Sequence, residues 1–165
     1  MEELEEGKKK VLISQAKNCP GRFPAKTLAD FIVKYVNVSI SDFKDHPAVK
    51  SGEVEKCLVE AQAQIALNQI KQKPTGTKAQ IEEVLKDISA FLESYSGLLN
   101  LGKQAEQLYD VLSKKLIGII AAEEEAEWNM LNKHDFDALV KYHQAHPNSP
   151  HRDDVADLAW SIVNK

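Results

Sequence analysis

Two neighbouring stretches of this chain repeat apolar residues at helical spacing, with only a short gap between them. Ile81, Leu85, Ile88, Leu92 and Tyr95 follow one another at intervals of four, three, four and three. Leu101, Ala105, Leu108, Leu112, Leu116 and Ile119 again step by threes and fours. That period places each set on one side of an α-helix; a strand would need alternation every second residue. A seam of this kind requires another helix to cover it. Short loops between long amphipathic helices favour antiparallel neighbours, so the expected fold class is all-α, an antiparallel helical bundle.

The other segments follow the same pattern. A first helix is expected over 2–18 with Val11, Leu12 and Gln15 on one side, although Gly7 and the charge run weaken its front half. Two prolines and a glycine break the chain at 18–24. A helix over 26–36 would bury Leu28, Phe31, Ile32 and Tyr35. The one β-like piece, residues 36–40, reads as a helix end followed by an extended connection. Beyond a linker with Ser39, Ser41 and Pro47, a helix over 51–72 would present Val54, Leu58, Ala61 and Ile65 on its apolar face. It stops at Lys73-Pro74-Thr75-Gly76, and Thr77 with Gln80 forms a capping box for the next helix.

Ser96-Gly97 ends or kinks that helix. The second seam can continue through Glu123–Glu125 to Trp128 and Leu131, giving one helix of more than 30 residues, about 45–50 Å at the helical rise. Gly118 is the natural place for a bend, and Asp110 and Lys114 are spaced for an i,i+4 pair.

Chemistry at a recognisable spacing is scarce. Cys19 and Cys57 lie outside any CxxC pair and read as free thiols of a reducing compartment or as incidentally buried small residues, more than as a disulfide framework, and a cytoplasmic location is expected. The charged start MEELEEGKKK argues against a signal peptide, and no run is apolar enough for a membrane helix. Residues 122–165 hold nine Asp/Glu against four Lys/Arg, so this segment carries the whole net charge of −4 and more. An acidic surface argues against phosphate-backbone binding and for a partner with a basic or apolar surface. No nucleic acid, membrane or cofactor is expected, and no Glu-x-x-His pair marks a metal-binding bundle.

The C-terminal segment has the layout of a helical hairpin. Trp128, Leu131, Phe136, Leu139, Val140 and Tyr142 supply apolar residues before the corner, with Asp135 as N-cap of a helix over 136–145. His146-Pro147 stops that helix, because the residue before a proline is pushed out of the α region. Ser149 would cap the last helix with Pro150 at its first position. Val155, Leu158, Ala159 and Ile162 would face back onto the first helix.

Trp128, Leu139, Tyr142, Pro147, Asn148, Ser149, Ala156 and Ala159 stand where a bacterial tetratricopeptide-like repeat has its pattern residues, and residues 122–165 resemble one such unit. The resemblance covers about a quarter of the chain. It implies an interaction scaffold, since such units serve that role in bacterial envelope-assembly proteins and beside caspase-like peptidase domains. Repeat scaffolds need about three units for an independent core, and one clear copy is present. A degenerate echo runs over 28–58, where Val33-Lys34-Tyr35 and His46-Pro47 mirror Val140-Lys141-Tyr142 and His146-Pro147. Ten residues separate Tyr35 from His46, against three between Tyr142 and His146.

Four of the five histidines lie late, at His134, His143, His146 and His151. His143-x-x-His146 with His151 and Asp153 or Asp154 could approach a metal ion. Exposed polar residues at a corner explain the same pattern, and spacing fixes no third ligand. Neither thiol has a neighbour that marks it as a nucleophile, and 73–78 lacks the glycines of a phosphate loop.

The expected protein is therefore non-enzymatic: a helical body over 1–121 and a tetratricopeptide-like hairpin over 122–165, packed as one compact unit. A protein partner would dock in a groove between the hairpin and the preceding long helix. Tyr142, His143 and Trp160 are the candidate contacts if exposed, although burial is the commoner fate of both tryptophans. The alternatives are a small metal protein or enzyme using the late histidines, and an oligomerising regulatory module, a homo-oligomer if the two seams pack between chains.

Overall fold

The computed structural model describes residues 1–164. It is an all-α helical bundle, 76% helical. Among the described residues eight α-helices follow in order: α1 (Glu6–Asn18), α2 (Ala25–Lys34), α3 (Pro47–Lys50), α4 (Glu53–Gln72), α5 (Lys78–Ser94), α6 (Leu99–Met130), α7 (Phe136–Ala145) and α8 (Arg152–Val163). No helix among the described residues is long and apolar enough to cross a membrane.

The chain forms two compact units. One comprises Met1–Pro74 with Val84–Tyr109, the other Thr75–Glu83 with Asp110–Lys165. Helices α5 and α6 each contribute residues to both.

In the first unit α2 packs along α4. Ala16, Leu28, Val38, Phe43 and Val54 form a buried cluster there. The first helix starts later than its sequence suggests, because the preceding residues pair elsewhere. Glu2 donates its N–H to the Lys34 carbonyl at 3.2 Å and accepts from Val36 N–H at 3.1 Å. The Asn37 side chain then holds both backbone groups of Leu4, at 3.0 and 2.6 Å. Val36 and Asn37 form a turn closed by the Val38 N–H on the Tyr35 carbonyl at 3.3 Å, and the extended Ser39 leads into a 3-10 turn over Ile40–Phe43 where Asp42 accepts from the Ser39 N–H at 2.9 Å.

The expected face of the fourth helix is correct only in its first half. Val54 is buried and Leu58 half-buried, but Ile65 is 42% exposed, and Ala63, Leu67 and Ile70 are the buried residues further on. Two apolar stripes at helical spacing compete on this helix, and the packing in its second half selects the other one. Along α5 the buried set is Ile81, Val84, Ile88 and Phe91, with Leu85, Leu92 and Tyr95 half-buried at its edge. Its start has the expected capping box: Thr77 Oγ1 accepts from the Gln80 N–H at 3.3 Å, and Gln80 Oε1 accepts from the Thr77 N–H at 3.1 Å. Residues 95–97 form the turn before α6, whose 32 residues run unbroken to Met130.

The two halves of the suspected repeat have different corners. Tyr35 ends α2 in an isolated bridge with Glu2, whereas Tyr142 turns inward and bonds Ser149. After His46 the chain makes only the four-residue α3, then turns at Gly52, whose φ of 78° is the one positive value among the described residues.

Candidate functional site

The second unit contains the hairpin and the part of α6 that supports it. Asp135 caps α7 as expected, with one carboxylate oxygen accepting from the N–H groups of Asp137 and Ala138 at 3.0 and 3.3 Å. Helix α7 packs on α8, and Trp128, Leu139, Tyr142 and Val155 form the buried cluster, with Leu131, Leu158, Ala159 and Ile162 around it.

Ser149 plays a different part from the expected cap. Helix α8 begins at Arg152, so Pro150 lies in the corner and not in the helix. The buried Ser149 hydroxyl accepts from the His151 N–H at 3.0 Å and is bonded to the Tyr142 hydroxyl at 3.1 Å. A buried phenol and a buried hydroxyl each need a partner, and these two satisfy one another. Burial pushes the Tyr142 phenol above its ordinary value against that hydrogen bond, and the charges of Glu124, Glu125 and Glu127 act in the same direction as burial.

Two of the late histidines fasten the corner to α6. His146 Nε2 lies 2.6 Å from Glu127 Oε2, and His151 Nε2 lies 2.6 Å from Glu125 Oε2. His151 Nδ1 is also 3.5 Å from the Asp154 carboxylate. Its ring stacks on the Trp128 indole at 4.5 Å with 7° between planes, and Tyr142 meets Trp128 at 5.4 Å. The Glu125 hydrogen bond raises the His151 pKa, aided by Asp154 and opposed by burial. The same bond is the main cause of the lowered Glu125 pKa.

This packing fills the space where a groove between the hairpin and the long helix was expected. Trp128 and Tyr142 occupy it. Tyr142 is buried and is therefore no surface contact, in contrast to its expected role. Its apolar ring completes the cluster while Ser149 takes its hydroxyl.

The open groove lies instead between α7 and α8. It is a cavity of about 400 Å³ with Phe136 and Val140 on one wall and Val155, Ala156 and Ala159 on the other. His143, Gln144, Arg152 and Asp153 stand along it. His143 thus reaches the groove while His146 and His151 bind glutamates, so the suspected histidine triad does not converge. Among the described residues no group of three or more His, Cys, Asp and Glu side chains is placed to hold a metal ion.

Trp160, expected in the core, is 71% exposed, and Phe136 is 42% exposed. Trp160 lies one helical turn beyond Ala156 and so continues the groove-side stripe of α8. Two sequence signals could have indicated this wall: Phe136-Val140 and Ala156-Trp160 are both i,i+4 pairs lying off the Leu139 and Val155 faces.

The arrangement is that of a helical hairpin with an apolar groove between its two helices. No protein-family model, curated protein or solved structure matches the chain.

Proposed function

We propose that this chain is a non-catalytic helical interaction module, cytoplasmic in setting, that docks a protein segment in the α7–α8 groove. The observation that carries the reading is the groove itself: aliphatic and aromatic side chains on two packed helices, left uncovered beside a fully closed core. The tetratricopeptide-like pattern of the hairpin supports it, since units of that type present helical surfaces to partners. His143 and Trp160 remain as contacts. Val140 and Ala156 join them as the groove's centre. The free thiols Cys19 and Cys57 accord with a reducing compartment.

Selection of a displayed random-peptide library against the full-length chain tests this. Recovered peptides should lose binding to a Val140→Glu variant whose helical circular dichroism is unchanged. A selection that yields only peptides indifferent to Val140→Glu, or none at all, overturns the docking role.

A further inference from the structure

The charges beside the groove specify its guest, on the reading that the groove is a docking site. Helix α8 carries Asp153, Asp154 and Asp157 against Arg152 alone. Asp154 faces His151, and Arg152 reaches Asp153 only at 3.5 Å with both side chains largely exposed. Asp157 stands one turn before Trp160 and Asp153 one turn before Asp157, so the three form a ridge along one exposed side of α8. An exposed indole face attracts a cation through its quadrupole, and adjacent carboxylates add a Coulombic attraction of the same sign. Across the groove the counterbalancing positive charge is slight: Lys141 is spaced to pair with Asp137 along α7.

We infer that the α7–α8 groove takes a cationic amphipathic segment of a protein partner, its aliphatic side chains on Val140 and Ala156 and a Lys or Arg on the ridge of Trp160, Asp157 and Asp153. The apolar walls supply contact area, and the Trp–Asp ridge selects for positive charge. A guest with aliphatic residues alone would fill the cavity but leave the ridge unsatisfied. An acidic guest would meet repulsion from it.

The same peptide selection separates the two ideas. Groove-dependent peptides should be rich in Lys and Arg beside aliphatic residues. Changing those basic residues to Gln in the tightest peptide should weaken binding about tenfold, the sum of a cation–π contact and an exposed ion pair or two. Against the Asp153→Asn/Asp157→Asn variant the basic and Gln peptides should bind alike, and Trp160→Leu should remove most of the difference. Groove-dependent peptides without excess Lys or Arg, or a preference unchanged by these variants, overturn the cationic guest while leaving the groove as a docking site. A failure to recover groove-dependent peptides overturns both.

Discussion

Leu139 and Trp160 sit on the two helices of one hairpin, and truncating each to alanine should cost very different amounts of stability. Leu139 is fully buried, packed in the cluster of Trp128, Tyr142 and Val155. Removing a leucine side chain from a rigid core costs about 2.7–5 kcal/mol, depending on how far the surroundings collapse. The hairpin cluster has four buried members ringed by half-buried ones, so partial collapse places Leu139→Ala near 3 kcal/mol, about the lower end of that range. Trp160 keeps most of its surface in water, and an exposed substitution of this kind stays within about 0.5 kcal/mol. The assay is urea unfolding followed by Trp128 fluorescence in the Trp160→Ala background, where Trp128 is the only indole. Circular dichroism on each single variant completes the comparison, and unchanged slopes identify a change in stability alone. A Trp160→Ala cost comparable to that of Leu139→Ala would show that the α8 face is covered in solution and would refute the open groove. A Leu139→Ala cost below about 1 kcal/mol would refute the packed cluster.

The Glu125–His151 pair predicts a pH dependence. His151 titrates above its ordinary 6.5, so its stabilisation is complete below that value and is lost as pH rises through the folded-state value. Glu125 titrates below its ordinary 4.5, so its stabilisation is complete above that value and is lost on acidification through its folded-state pKa. The destabilisation caused by His151→Gln should therefore be largest between those limits, at about pH 5.5, and smaller at about pH 8.5. Equal urea-midpoint differences at the two pH values would contradict the pairing. Thr77→Ala should cost about 1 kcal/mol through loss of the α5 cap, read as a lower thermal midpoint, with little change for Thr75→Ala beside it. Gly52→Ala should cost about 1–2 kcal/mol, because φ of 78° disfavours a Cβ even where surrounding space is open; a neutral Gly52→Ala would show that the turn readily adopts another conformation.

The features legible in the sequence are those set within a few residues. The Thr77–Gln80 box, the Asp135 cap, the stop at His146-Pro147 and the long run of α6 depend on contacts between neighbours in the chain. Backbone geometry fixes such contacts wherever a helix forms. The features that were not legible join distant residues or require a choice between equivalent faces. Glu125 and His151 lie 26 positions apart, and Glu127 and His146 lie 19 apart. No spacing rule connects them.

The two tryptophans show the same division. As residue types they are equally apolar, and each follows an amphipathic helical pattern, so sequence alone favoured burial of both. Packing decided otherwise: His151 and Tyr142 close over Trp128, whereas Trp160 is rotated off the Val155 face and remains in water. By itself the sequence determined an all-α chain, most helix limits, the hairpin and the acidic character of its C-terminal segment, because hydrophobic period, caps and charge are local quantities. Only the tertiary structure decided which stripe of α4 is buried, that Tyr142 is core and Trp160 surface, and that the groove opens between α7 and α8. The physical reason is that a helix can offer more than one apolar stripe, and the free energy that selects among them comes from surface buried against other helices.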